Sequence, residues 1–197
     1  MNNSVFSAFL QLGVEHIISW QAYDHLAFLV ALAAPFIWRD WKQVVFLATA
    51  FTIGHSITLA LAVLQIIPVD ERIIETLIPV TILLTSLANF REVMITNAEV
   101  KTLWFSGKNL SAGLFGLIHG MGFSNYLKSL LGYESRPVLE LFAFNVGIEI
   151  GQVFIVLLAL LLNILAVQFL PRKRWIRIVS GVTALVSVYI LFGIWQG

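Results

Sequence analysis

Four histidines and the carboxylates around them carry the chemistry this chain could do. Glu15 and His16 are adjacent, as are Asp24 and His25; His55 sits in Ala50-Phe-Thr-Ile-Gly-His55-Ser56-Ile-Thr58; His119 precedes Gly120-Met-Gly122; and Glu149 lies between Asn145 and Gln152. Each falls in, or at the edge of, an apolar run. A polar or ionisable side chain at membrane depth costs about 2–3 kcal/mol on insertion scales, so it persists where it faces other protein, water or an ion. Imidazole and carboxylate together suit divalent nickel, cobalt or zinc. With no cysteine, thiolate sites and disulfides are excluded, and three scattered methionines argue against a soft copper(I) path, so any metal is expected to meet nitrogen and oxygen ligands.

A lone membrane histidine is commonly an interhelical hydrogen-bond donor. Four of them, none in a loop, argue instead that at least two share a centre. The candidate metal ligands are His25, His55, His119, Asp24 and Glu149, with His16 at the edge of its segment. Glu15, Ser56, Asn145, Gln152 and Asn89 are the supporting polar groups. Asn145, Glu149 and Gln152 project from one helical face, and a carboxylate buried there is too costly to be left charged and unpaired. The stripe Thr81, Thr85, Asn89 reads as helix packing.

The elements that must position these groups follow from composition. At 59% hydrophobic and 12% charged, with mean hydropathy +0.89, the chain is far from the roughly 25% charged residues of a soluble domain. Runs interrupted by histidine, glycine and proline, without period-two alternation, favour an all-α polytopic bundle over a membrane barrel. A single transmembrane domain over residues 1–197 is expected. A formal charge of +1 without a basic block excludes a nucleic-acid partner. The opening Met-Asn-Asn-Ser-Val-Phe lacks a basic region, so the first segment is expected to be retained.

About six spans are expected. The first segment, 6–37, exceeds the roughly 20 residues one pass needs and should break near Gly13 to Gln21 into a short or re-entrant helix and a span starting near Tyr23. The others cover 41–67, 71–94 with Pro79 inside, 110–131, 137–169 and 175–195. The connections one-two, three-four and five-six then carry Arg39, Lys42, Arg91, Lys101, Lys108, Arg172, Lys173, Arg174 and Arg177, nine of the twelve basic residues. That places them in the cytoplasm and both termini outside.

The motifs Gly13-Val-Glu-His16, Asp24-His25-Leu-Ala-Phe-Leu, Ala50-Phe-Thr-Ile-Gly-His55-Ser-Ile-Thr58, Phe115-Gly-Leu-Ile-His119-Gly-Met-Gly-Phe123 and Phe144-Asn145-Val-Gly-Ile-Glu149-Ile-Gly-Gln152, with Glu75 and Ala88-Asn89, resemble those of the HupE/UreJ family. The resemblance implies a nickel or cobalt permease of the bacterial inner membrane, associated with nickel-enzyme maturation proteins or with further copies of itself. In one respect the chain departs from the family pattern: seven residues, not five, separate His16 from Asp24. Two extra residues turn a helix by about 200°, so His16 can point where its counterpart does only if the chain unwinds in between. The other chemical reading is an intramembrane zinc hydrolase resembling the seven-helix hydrolases, with three histidines on the metal, Asp24 or Glu149 activating its water, and Ser56 orienting a ligand.

Overall fold

The first apolar run breaks where its polar residues fall. In the computed structural model, which describes residues 2–95, 107–131 and 137–196, helix α1 (Asn2–Ile18) gives way to a 3-10 turn (Trp20–Ala22) and then α2 (Tyr23–Ala33). Helices α3 (Trp41–Val63), α4 (Glu71–Ile95), α5 (Gly107–Gly122), α6 (Ser124–Leu131), α7 (Pro137–Phe169) and α8 (Arg172–Gln196) follow, with no strand among the described residues. The connection containing Lys101 and the turn Gly132-Tyr133-Glu134 lie outside the described residues.

The fourth apolar segment, expected as one helix, is two. The glycines of Gly120-Met-Gly122 weaken the helix there, and Ser124 Oγ donates to the Met121 carbonyl at 2.7 Å. The chain restarts as short α6, whose Asn125 bonds Glu71 at the head of α4. Among the described residues, four helical stretches are long and apolar enough to cross a membrane, Trp38–Val63, Glu71–Met94, Pro137–Phe169 and Arg172–Gln196; the apolar helices Val5–Ile18 and Tyr23–Ala33 are shorter. Large apolar side chains such as Phe142, Phe154, Leu185 and Phe192 lie on the outside, as expected of surfaces facing lipid.

Two parallel helix pairs are set by glycine. A Cβ on Gly13 of α1 would run into the Phe144 carbonyl of α7, and one on Gly147 of α7 into the Leu10 carbonyl of α1. Between α3 and α5, a Cβ on Gly54 would meet the Gly113 carbonyl, one on Gly116 that of Phe51, and one on Gly120 that of His55. Backbones this close gain dispersion over their whole length, the main attraction left to helices in lipid. Contacts rise together from Leu10–Gly147 to Ile17–Gly151 and from Phe51–Gly116 to His55–Gly120, so α1 runs with α7 and α3 with α5.

A third pair, α4 and α8, is antiparallel and tied by hydroxyls. Ser86 and Thr183 are 2.8 Å apart, and Ser187 Oγ donates to the Pro79 carbonyl at 2.6 Å. Such bonds average only about 0.6 kcal/mol in membrane bundles, so they fix register more than they stabilise. The last carbonyls of α2 and the turn after it, which lack intrahelical donors, are taken up by other helices. Asn89 bonds Ala31 O, Asn163 bonds Ala33 O and Phe36 O, and Arg172 bonds Pro35 O.

Candidate metal centre

Each seam places a histidine. Gly13 docks α1 on α7 one turn before His16; Gly54 and Gly120 dock α3 and α5 next to His55 and His119. The break after α1 supplies the rest. Because the chain unwinds through Ser19 to Ala22, His16 and His25 face each other with ring centroids 4.8 Å apart, despite the two additional residues between them. His25 is also 6.1 Å from His55 and 5.1 Å from His119. Three of the four rings are almost fully buried, with His25, His55 and His119 at 4%, 0% and 1% exposure.

Among the described residues, two overlapping groups could hold an ion. One ligand atom from each of His16, His25 and His55 lies within 4.8 Å of the others, and the same is true of Asp24, His25 and His119. His25 belongs to both. Asp24 accepts from the His25 backbone N–H at 2.8 Å and from Nδ1 at 3.0 Å. A carboxylate only accepts, so Nδ1 carries a proton, and in the neutral ring Nε2 keeps its lone pair. A histidine oriented by a carboxylate on its far nitrogen is the usual arrangement of a metal ligand. The buried atoms His16 Nε2, His25 Nε2, both nitrogens of His55 and His119 Nδ1 have no hydrogen-bond partner among the described residues. Buried polar atoms are nearly always bonded, and five orphans converging from four helices are what a nitrogen-ligated cation would satisfy.

Glu149 is placed elsewhere. Its Oε1 accepts from Thr49 Oγ1 at 2.5 Å, and Gln152 Oε1 accepts from Thr52 Oγ1 at 3.1 Å, forming a polar seam between α3 and α7. Glu149 joins neither ligand group. Asn145 lies beside the His55 ring, near hydrogen-bond reach but outside strict hydrogen-bond geometry. Ser56 turns its hydroxyl onto the Thr52 carbonyl of its own helix at 2.7 Å, so it orients no imidazole. Glu15 is exposed and bonded to Gln11, and Asn89 serves α2 as described. Thr81, read from the sequence as packing, bonds His119 Nε2 at 2.9 Å. Its one sequence signal was membership in the polar stripe behind Pro79.

A cavity of about 570 Å³ reaches the imidazoles, lined by Glu15, His16, Asp24, His25, His119, Glu75 and Tyr126 among others. Glu75 and Tyr126 are exposed, so the cavity meets the surface at that end. Toward the other end, Phe28 and Phe51 pack at 4.8 Å and lie 5.4 and 5.0 Å from His119, with Phe115 6.2 Å from Phe28. Beyond Phe115 is a second cavity of about 170 Å³, bordered by Asn89, Glu92 and Lys108, where Lys108 and Glu92 pair at 2.7 Å.

Long apolar helices around buried imidazoles define the class, a multi-pass helical membrane protein with polar groups compatible with a transition-metal ion. The chain belongs to the HupE/UreJ family, whose model, described as HupE / UreJ protein, matches residues 1–196. Comparison with curated proteins and with solved structures gave no match.

Proposed function

We propose that this protein is a secondary permease for a divalent transition metal, nickel or cobalt, which it binds through His25, His55, His119 and His16 with Asp24 beside them. The observation that carries the reading is the convergence of unpartnered, buried imidazole nitrogens at the inner end of a cavity that meets the surface. The association of the family with nickel and cobalt transport supports the choice of cargo. Mixed imidazole and carboxylate ligands beside glycine-broken helix suit reversible binding near the midplane. Glu149, off the imidazole cluster, acts in this reading through the α3–α7 seam. No observation favours the hydrolase, because Ser56 bonds its own helix.

The chain makes six passes in this reading, with α1 and α2 as one broken pass and both termini outside the cytoplasmic membrane. Arg39, Lys42, Arg91, Lys108 and Arg172 to Arg174 gather at the end marked by the Lys108–Glu92 pair and the Arg172–Pro35 bond, which the positive-inside rule assigns to the cytoplasm. The larger cavity then faces outward, and Phe28, Phe51 and Phe115 close the path inward. In this cysteine-free chain, single cysteines at Arg72 and Arg174, both exposed, are expected to react with an impermeant maleimide from opposite sides. Same-side labelling would overturn the topology.

Function is tested with the full chain in proteoliposomes enclosing a metal-sensitive dye. Saturable entry of nickel or cobalt, each competing with the other, is expected. Binding without any flux would sink the permease reading.

A further inference from the structure

Among the described residues, Thr81 is the one group from α4 bonded to an imidazole of the cluster, and its hydrogen bonds leave little freedom. A hydroxyl has one proton to give and two lone pairs to receive with. Thr81 Oγ1 gives its proton to the Ile78 carbonyl at 2.7 Å and lies 2.9 Å from His119 Nε2. With that proton committed, the second contact is made by an N–H on Nε2 donating to the oxygen. Neutral imidazole carries one proton, so Nδ1 of His119 is bare. The alternative tautomer would bury an Nδ1–H, and Nδ1 has no partner among the described residues. Thr81 and His119 are 2% and 1% exposed, so the contact between them is buried.

We infer that Thr81 is a positioning residue for transport, which holds the proton of His119 on Nε2 and thereby presents Nδ1 to the metal. It does for His119 what Asp24 does for His25, with a neutral acceptor in place of a charged one. The inference rests on the reading of His119 as a ligand. It also ties the site to α4, which packs on α8.

The test uses Thr81→Val, which removes the hydroxyl at nearly constant size, and Thr81→Ser, which keeps it. In metal-free full-length protein labelled with ¹⁵N-histidine, the resonance assigned to His119 by its loss in His119→Gln is expected as the Nε2–H tautomer. In Thr81→Val it should become a mixture. Nickel affinity should fall about 10- to 100-fold in Thr81→Val, the usual cost of losing a group that orients a metal ligand, and stay near wild type in Thr81→Ser. A wild-type spectrum and affinity in Thr81→Val, or Thr81→Ser as weak as Thr81→Val, overturns the role of Thr81 while leaving His119 a ligand. His119→Gln binding nickel as tightly as wild type overturns the ligand reading itself and the inference with it.

Discussion

Replacing His25 by alanine is expected to lower nickel affinity more than any other single histidine substitution. Loss of an orienting group alone costs roughly 10- to 100-fold in metal affinity, and His25→Ala removes both a ligand and the nitrogen that Asp24 grips. The ranking follows from geometry. His25 is common to both three-ligand groups, whereas His16 and His55 belong to one and His119 to the other. His55→Ala or His119→Ala therefore leaves one complete group, and His25→Ala leaves none. Folding should survive, because the glycine seams that set the helices do not involve the His25 ring, and the variant relieves a buried orphan nitrogen. Nickel titration of purified protein, with thermal unfolding as a control, gives the answer. Should His25→Ala bind like wild type, or lose less than both His55→Ala and His119→Ala, the shared centre is wrong.

Gly116→Ala and Gly147→Ala should each destabilise the bundle by about 1–3 kcal/mol, the range for overpacking a well-filled interface. A Cβ at Gly116 would meet the Phe51 carbonyl oxygen, carbon and Cα, and one at Gly147 would meet Leu10 O, Val14 N and Gly13 Cα. These are backbone atoms within helices, so no rotamer change can clear them and the helices must move apart. Gly193→Ala is the comparison. It lies inside α8 with nothing within 4 Å of the added Cβ, so alanine there should instead gain about 0.8–1.0 kcal/mol of helix propensity. Unfolding in mixed micelles measures all three. Equal stability of Gly116→Ala and Gly193→Ala would show that the close seam between α3 and α5 is not what holds that pair together. A weaker Gly116→Ala should also lose nickel, because the same seam sets the depth of His55 and His119.

Much of this was legible without coordinates because the signals are local. Apolar runs and prolines gave α4 starting at Glu71 and α7 running from Pro137 to Phe169, and the polar patch from Gly13 to Gln21 announced the break between α1 and α2. Helical period placed Asn145, Glu149 and Gln152 on one face, and a helix face is a property of the chain alone. The cost of burying imidazole singled out the four histidines for the same reason. What lies opposite a face is another matter, because it depends on how far one helix slides along another. Glycine-set registers between α1 and α7 and between α3 and α5 decided it. They bring Thr49 to Glu149 and Thr52 to Gln152, so the carboxylate that helical period singled out bonds a hydroxyl of α3. Spacing along the chain placed His16 in doubt, and only the unwound turn, which cancels the helical phase between His16 and His25, brings their rings together. Thr81 carried no sign of its partner, since a hydroxyl four residues from the next looks the same whether it bonds its own helix or, as here, also an imidazole 38 positions away.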